Sequence, residues 1–160
     1  MIDARLDLKR RERLGMVEAV WGEHKTAEQI ITILERFSAA DELGLVTRVS
    51  PEKADAVLAA LPAVKAHAHA RCLTLGELPA PPPGPPPVAV LSGGSSDRSV
   101  VAEATLALSC HGIAVDPLMD VGVAGLHRLL DQLPRLESAV VLIACAGMEG
   151  ALPTVLAGLV

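Results

Sequence analysis

Glu149 stands in Ala146-Gly-Met-Glu-Gly150, directly after an aliphatic run and before an apolar helical segment. A carboxylate there can partner a helix dipole or handle a proton, and the residues alone leave both readings open. A second group is Gly93-Gly-Ser-Ser-Asp97, again after an aliphatic run. Glycines lacking Cβ let backbone N–H groups approach an anion at a helix N-terminus, and Ser95 and Ser96 add hydroxyl donors. Tight-turn geometry explains such a segment equally well, and Asp97 also fits as a helix cap. A third group runs from Asp120 through Gly122 and Gly125 to His127 and Arg128. Here Asp120 and Arg128 are candidates for the ligand, with a solvated helix face as the alternative for His127 or Arg128. Candidate binding residues are therefore Gly93, Gly94, Ser95, Ser96, Asp97, Asp120, Gly122, Gly125, Arg128, Ala146, Gly147, Met148 and Gly150, with Glu149 as the catalytic candidate. Neither G-x-G-x-x-G nor a Walker lysine is present.

Two other groups carry weaker chemistry. His67-Ala-His69 with Cys72 has metal-like spacing, but one loop offers three ligands where structural zinc takes four. Solvated loop histidines are the better reading, and no metal site is expected. Gly22-Glu-His-Lys25 can meet a phosphate through Lys25 or backbone N–H groups; a plain capping turn suits it better.

Elements must hold these turns. Residues 88–160 alternate strand and helix signals: strand Val88–Leu91, helix Arg98–His111 stopped by Gly112, a second strand starting over Ile113 to Val115, a helix with Leu126, Leu129, Leu130 and Leu133 on its apolar face, buried strand Ala139–Cys145, and a helix from Ala151. This alternation predicts an α/β fold with a parallel sheet, in which ligands bind beyond the C-terminal ends of the strands. All three turns fall at that edge.

Upstream, Thr26-Ala-Glu-Gln29 is a capping box opening a helix with Ile30, Ile33, Leu34 and Phe37 on one face. Ser50, Pro51 and Glu52 open another, with Ala54, Val57, Leu58 and Leu61 inward and Pro62 as its stop. Strands are expected over 43–49 and 71–75. The segment Pro79–Pro87, holding seven of the 12 prolines, is a polyproline spacer. The domains are thus 1–78, a small α+β unit; 79–87, a linker; and 88–160, an α/β unit.

Composition narrows the partners. The 160 residues carry a formal net charge of −5 and only two aromatics, Trp21 and Phe37, which argues against nucleic acid. The basic run Lys9 to Arg13 reads as a solvated terminal segment. No apolar stretch reaches membrane-spanning length, and the charged start lacks an apolar signal core. Cys72, Cys110 and Cys145 are odd in number and widely spaced, as reduced thiols of a cytoplasmic protein are. The 25 Ala, 24 Leu and 17 Val supply an aliphatic interior.

The turns resemble a known family. Val88-Ala-Val-Leu-Ser-Gly-Gly-Ser-Ser-Asp97 and Ala144-Cys-Ala-Gly-Met-Glu-Gly-Ala-Leu-Pro153 are similar to the first and third strand–loop segments of the PurE-type carboxylase superfamily. Within it, Asp120-Val-Gly-Val-Ala-Gly-Leu-His-Arg128 and Ala146–Pro153 resemble the LarB group of nickel-pincer nucleotide biosynthesis. Arg13-Leu-Gly15, Gly22-Glu-His-Lys-Thr26 and Thr47-Arg-Val-Ser-Pro-Glu-Lys53 resemble its leading domain. The resemblance implies a PurE-like (flavodoxin/Rossmann-like) three-layer sheet and carboxylation of nicotinic acid adenine dinucleotide. That reaction takes CO2 or bicarbonate and magnesium, cleaves the phosphoanhydride and releases AMP. It also implies a homo-oligomer, octameric in the superfamily. Glu149 matches the family's carboxylate; the Ser/Gly loop and Arg128 would hold phosphate and carboxylate groups. The family's catalytic cysteine follows the third helix, whereas this chain ends at Val160 and neither Cys110 nor Cys145 matches it. A truncated product, inactive alone as a carboxylase and with unfinished sheet edges, is therefore expected. The alternatives are an aminoimidazole ribonucleotide carboxylase or mutase, whose histidine-bearing motifs this chain lacks, and a non-catalytic nucleotide-binding assembly module.

Overall fold

The structure, a computed structural model, describes residues 5–160. They fall into two compact units, divided between Pro79 and Ala80.

In the leading unit the chain runs through α1 (Arg10–Leu14), β1 (Ala19–Trp21), α2 (Ala27–Ala39), β2 (Gly44–Thr47), α3 (Pro51–Ala60), β3 (Lys65–His67) and β4 (Cys72–Leu75). The sheet order is β1-β2-β4-β3, with β1 and β2 parallel and the other pairs antiparallel. Both expected helix starts are present. Thr26 accepts from the Gln29 N–H while the Gln29 side chain accepts from the Thr26 N–H. Ser50 accepts from the Lys53 N–H, with Pro51 in the first turn. Ile30, Ile33, Leu34 and Phe37 are all buried, and Val57 joins them from α3. The four i, i+3, i+4, i+7 side chains thus face one core, as helical periodicity requires.

Three short elements escaped sequence reading. β1 and β3 have three residues each, too few to show a period-2 pattern. The basic run forms α1, where Arg13 makes two hydrogen bonds to the Asp7 carboxylate, at 3.0 and 2.5 Å. This ion pair holds the Asp7 carboxyl below its usual range. His67 is not a solvated loop residue. It ends β3 opposite Cys72, and its Nε2 lies 2.9 Å from Thr74 Oγ1. Burial, and secondarily Lys65, push this imidazole below its ordinary pKa.

The second unit contains β5 (Val88–Ser92), α4 (Arg98–Ser109), β6 (Val115–Leu118), α5 (Leu126–Leu130), α6 (Leu133–Leu136), β7 (Val141–Cys145) and α7 (Ala151–Ala157). Its sheet is wholly parallel, in the order β6-β5-β7. Successive β5 side chains serve opposite layers, since a strand alternates faces. Ala89 and Leu91 pack with Leu129, Leu136, Leu152 and Leu156. Val88 and Val90 pack with Val101, Ala104 and Leu108 of α4. Helices therefore cover both faces, giving the three-layer α/β fold that was expected. Gly112 takes the left-handed conformation (φ 68°) just past α4, and the Ile113 N–H reaches back to the Leu108 carbonyl, 3.2 Å.

Packing corrects three local expectations. The second strand, expected to start over Ile113–Val115, starts only at Val115 and runs to Leu118; it includes Pro117, which an edge strand tolerates because one side needs no ladder donor. The expected Leu126–Leu133 helix is split into α5 and α6. Pro134 has no N–H for the Leu130 carbonyl, and its ring crowds that group. The inward leucines are consequently Leu129 and Leu136, while Leu126 and Leu130 are exposed. Finally, β7 is an edge strand, with Val141 exposed and the rest half-buried, because the buried centre is β5.

Candidate functional site

The β5–α4, β6–α5 and β7–α7 turns meet at the C-terminal end of the parallel sheet. The chain leaves β5 for one neighbour, β6, and then crosses to the other, β7. That reversal opens a crevice between the β5 and β7 ends, where α/β folds bind ligands. A cleft of about 220 Å³ lies there. Gly93, Gly94, Ser96 and Asp97 line it from the first turn, Gly122 from the second, and Ala146, Gly147, Met148 and Glu149 from the third.

Backbone contacts tie the turns together. The Gly93 N–H donates to the Cys145 carbonyl at 2.9 Å, joining the first turn to the end of β7. The Val121 N–H donates to the Ser92 carbonyl at 2.9 Å, joining the second to the end of β5. Ser92 Oγ is buried and accepts from the Asp120 N–H at 2.7 Å. The Asp97 carboxylate accepts from the Gly94 N–H at 2.9 Å, so it braces the first turn from within. Two glycines are demanded by these approaches. A Cβ on Gly122 would lie 2.2 Å from the Gly93 carbonyl oxygen, and one on Gly93 would lie 3.2 Å from the Ala146 Cβ.

Five of the candidate residues do not line the cleft: Ser95, Asp120, Gly125, Arg128 and Gly150. Arg128 pairs instead with Asp120 at 2.6 Å, and a Cβ on Gly125 would meet its Nε at 2.6 Å. Asp120 reaches this partner from a left-handed backbone (φ 58°), and Gly150 supplies the same conformation (φ 68°) just before α7. Sequence reading missed Ser92, Val123, Ala124, Ala151 and Leu152. Ser92 had one signal, as the first polar residue after an aliphatic strand; the others contribute shape alone.

The cleft's charge is acidic. No lysine or arginine lines it, and its ionisable groups are Asp97 and the exposed Glu149. Anion binding there depends on backbone N–H groups or on an added cation. The donor set suits Mg²⁺, which takes one or two carboxylates, keeps several waters and uses ligand phosphates.

The thiols are not set up as nucleophiles. Burial pushes Cys110 up to about 11. Cys145 is raised by burial and, less, by Asp97. Cys72 is buried and donates to the Ala70 carbonyl. Since the thiolate is the reactive form, iodoacetamide at neutral pH is expected to leave Cys110 and Cys145 unmodified in the folded protein. Rapid labelling of either, read by mass spectrometry before and after denaturation, would contradict this.

In the leading unit, the Gly22–Thr26 and Thr47–Lys53 segments come together. The Gly22 N–H donates to the Thr47 carbonyl at 2.8 Å, and Lys53 Nζ donates to the Gly22 and Glu23 carbonyls at 3.2 and 2.7 Å. The Gly22–Lys25 turn runs directly into the Thr26 cap of α2, with the Lys25 N–H on the Gly22 carbonyl at 3.1 Å.

A three-layer α/β unit with its cleft at the strand-order reversal, preceded by a small α+β unit, is the PurE-like class of architecture. Residues 1–77 match the family described as LarB/PurE-like N-terminal domain, which supports a LarB-type protein of the PurE superfamily. An uncharacterized protein of Methanocaldococcus jannaschii is 31% identical over 163 residues. The alignment covers 98% of this chain and 64% of that relative, so the chain spans less than two thirds of the relative's length.

Proposed function

We propose that the cleft binds nicotinic acid adenine dinucleotide and that the protein serves carboxylation of its pyridinium ring, with phosphoanhydride cleavage and AMP release, in nickel-pincer nucleotide biosynthesis. The observation that carries this reading is the convergence of three glycine-bearing turns on one cleft at the strand-order reversal. The match of residues 1–77 to the LarB/PurE-like N-terminal domain supports the substrate choice.

The residues divide the work by chemistry. The Ser96 and Gly147 N–H groups bind phosphate, since those of Gly93 and Gly94 already donate to the Cys145 carbonyl and the Asp97 carboxylate. Asp97, with ligand phosphate and water, would hold a magnesium ion, which supplies the positive charge that the lining lacks. Carboxylation by CO2 replaces a ring C–H with C–CO2⁻, so one proton must leave. Glu149 is exposed at the cleft and has no hydrogen-bond partner among the described residues, which leaves its carboxylate free to accept that proton. Arg128 is engaged by Asp120 and serves the second turn unless a ligand carboxylate displaces that partner. The exposed valines Val140 and Val141 beside the β7 edge support a homo-oligomer. The free cysteines support a reducing, cytoplasmic location.

The state of the thiols favours a second element of this reading: the 160-residue chain binds the dinucleotide without turning it over. Calorimetric titration with the dinucleotide is expected to show saturable binding, strengthened by magnesium. An assay with radiolabelled bicarbonate is expected to show no label in the nucleotide product. Label incorporation by the purified chain would overturn the non-catalytic reading. Failure to bind the dinucleotide, with binding of aminoimidazole ribonucleotide, would move the assignment to the purine pathway.

A further inference from the structure

The leading unit carries a pocket unrelated to the proposed nucleotide cleft. It lies between α3 and the β3–β4 hairpin and has a volume of about 260 Å³. Its floor is apolar, formed by side chains such as Ala54, Leu58 and Cys72. Two formal charges line it, Asp55 from the middle of α3 and Arg71 from the hairpin. Neither side chain has a hydrogen bond or ion pair among the described residues, although both are exposed at one pocket. His67 also lines it, but its ring is tied to Thr74 Oγ1. Burial, and secondarily Lys65, lower its pKa and so disfavour a third charge there. Lys65, on the same strand, is paired with Glu77 at 3.2 Å.

Arg71 is an unusual choice on backbone grounds. It closes the 3-10 turn Ala68–Ala70 in the left-handed region, φ 52°, which disfavours every residue with a Cβ. Glycine would make the same turn without that strain. The backbone is held on both sides, by the Arg71 N–H on the Ala68 carbonyl at 3.1 Å and the Val49 N–H on the Arg71 carbonyl at 2.8 Å. The Cα from which the guanidinium extends is therefore fixed relative to the pocket. Asp55 is equally fixed by its helix. A rigid apolar floor flanked by one unpaired cation and one unpaired carboxylate complements a ligand carrying the opposite pair.

We propose that this pocket binds a small zwitterion with an apolar body: the floor takes the body, Arg71 the carboxylate and Asp55 the cationic group. The volume falls just below the ~300–1,000 Å³ of drug-sized sites, which sets the ligand at amino-acid size.

The test uses the full chain, labelled with nitrogen-15, and four probes. 4-(Aminomethyl)benzoate and L-leucine are zwitterions; benzoate and benzylamine share the aromatic body of the first but carry a single charge. Both zwitterions, or one of them, are expected to shift the Leu58, Arg71 and Cys72 amides saturably, and the pattern shows whether an ω- or an α-amino acid fits. Benzoate and benzylamine should bind roughly fivefold more weakly, the value of one exposed ion pair. R71G should lower 4-(aminomethyl)benzoate affinity to that of benzylamine while its thermal midpoint holds or rises, which separates binding from stability. D55N should lower it to that of benzoate. Equal affinity for charged and zwitterionic probes, unchanged binding by R71G, or no shift of these amides in the folded chain would each overturn the proposal.

Discussion

Alanine at Gly122 is expected to destabilise the second unit by about 3 kcal/mol or more and to abolish dinucleotide binding. Its Cβ would lie 2.2 Å from the Gly93 carbonyl oxygen and 3.2 Å from the carbonyl carbon. Both atoms are backbone, so no side-chain rotation relieves the contact, and such overpacking costs at the upper end of its usual range. Separating the first two turns also strains the Val121 N–H bond to the Ser92 carbonyl and the Asp120 N–H bond to Ser92 Oγ. The effect should be confined to one unit. Trp21, the sole tryptophan, belongs to the leading unit, so its fluorescence transition should stay in place. The circular dichroism transition should move earlier or split. Coincident shifts of both signals would show that the two units unfold together, and unchanged dinucleotide binding would show that the turns can part without loss of the site.

Alanine at Phe37 acts on the other unit and is expected to cost about 3–5 kcal/mol. Phe37 is the only phenylalanine and is 2% exposed, in a core otherwise built from aliphatic side chains. No other ring is available to fill the space. The α2 face packs tightly at its β2 end, where a Cβ on Gly44 would come within 2.7 Å of Leu34 Cδ2 and 3.7 Å of Phe37 Cδ2. A loss of this size is a large share of the ~5–15 kcal/mol that holds an ordinary domain folded. Urea denaturation followed by Trp21 fluorescence should show the midpoint falling sharply. A shift small enough to match a surface substitution would mean that Phe37 contributes far less packing than its burial indicates.

Where residues speak within a few positions of one another, their reading in the sequence and their place in the structure agree. Thr26 and Gln29 form their reciprocal cap, Ser50 and Pro51 open α3, and Gly112 takes the left-handed turn after α4. Each depends on a hydrogen bond or a backbone angle within about one helical turn. The glycine-rich turns after β5, β6 and β7 are legible for the same reason, because the change from aliphatic strand to small residues is local. Elements of three residues carry too little pattern to be seen, as β1 and β3 illustrate.

Membership of a parallel α/β class, the two good helix starts, the inward face of α2 and the three turns facing one sheet edge are settled by the sequence itself. Local propensity and periodicity suffice for these. The tertiary structure alone decided that β5, not β7, is the central strand, so Val141 stands exposed where an unbroken aliphatic run suggested burial. It decided that Leu129 and Leu136 face inward across the Pro134 break, and that Arg128 is spent on Asp120 while Glu149 remains open to the cleft. Strand order and side-chain pairing arise from contacts between residues far apart in the chain. Their energies depend on which surfaces meet, and no window of neighbouring residues carries that information.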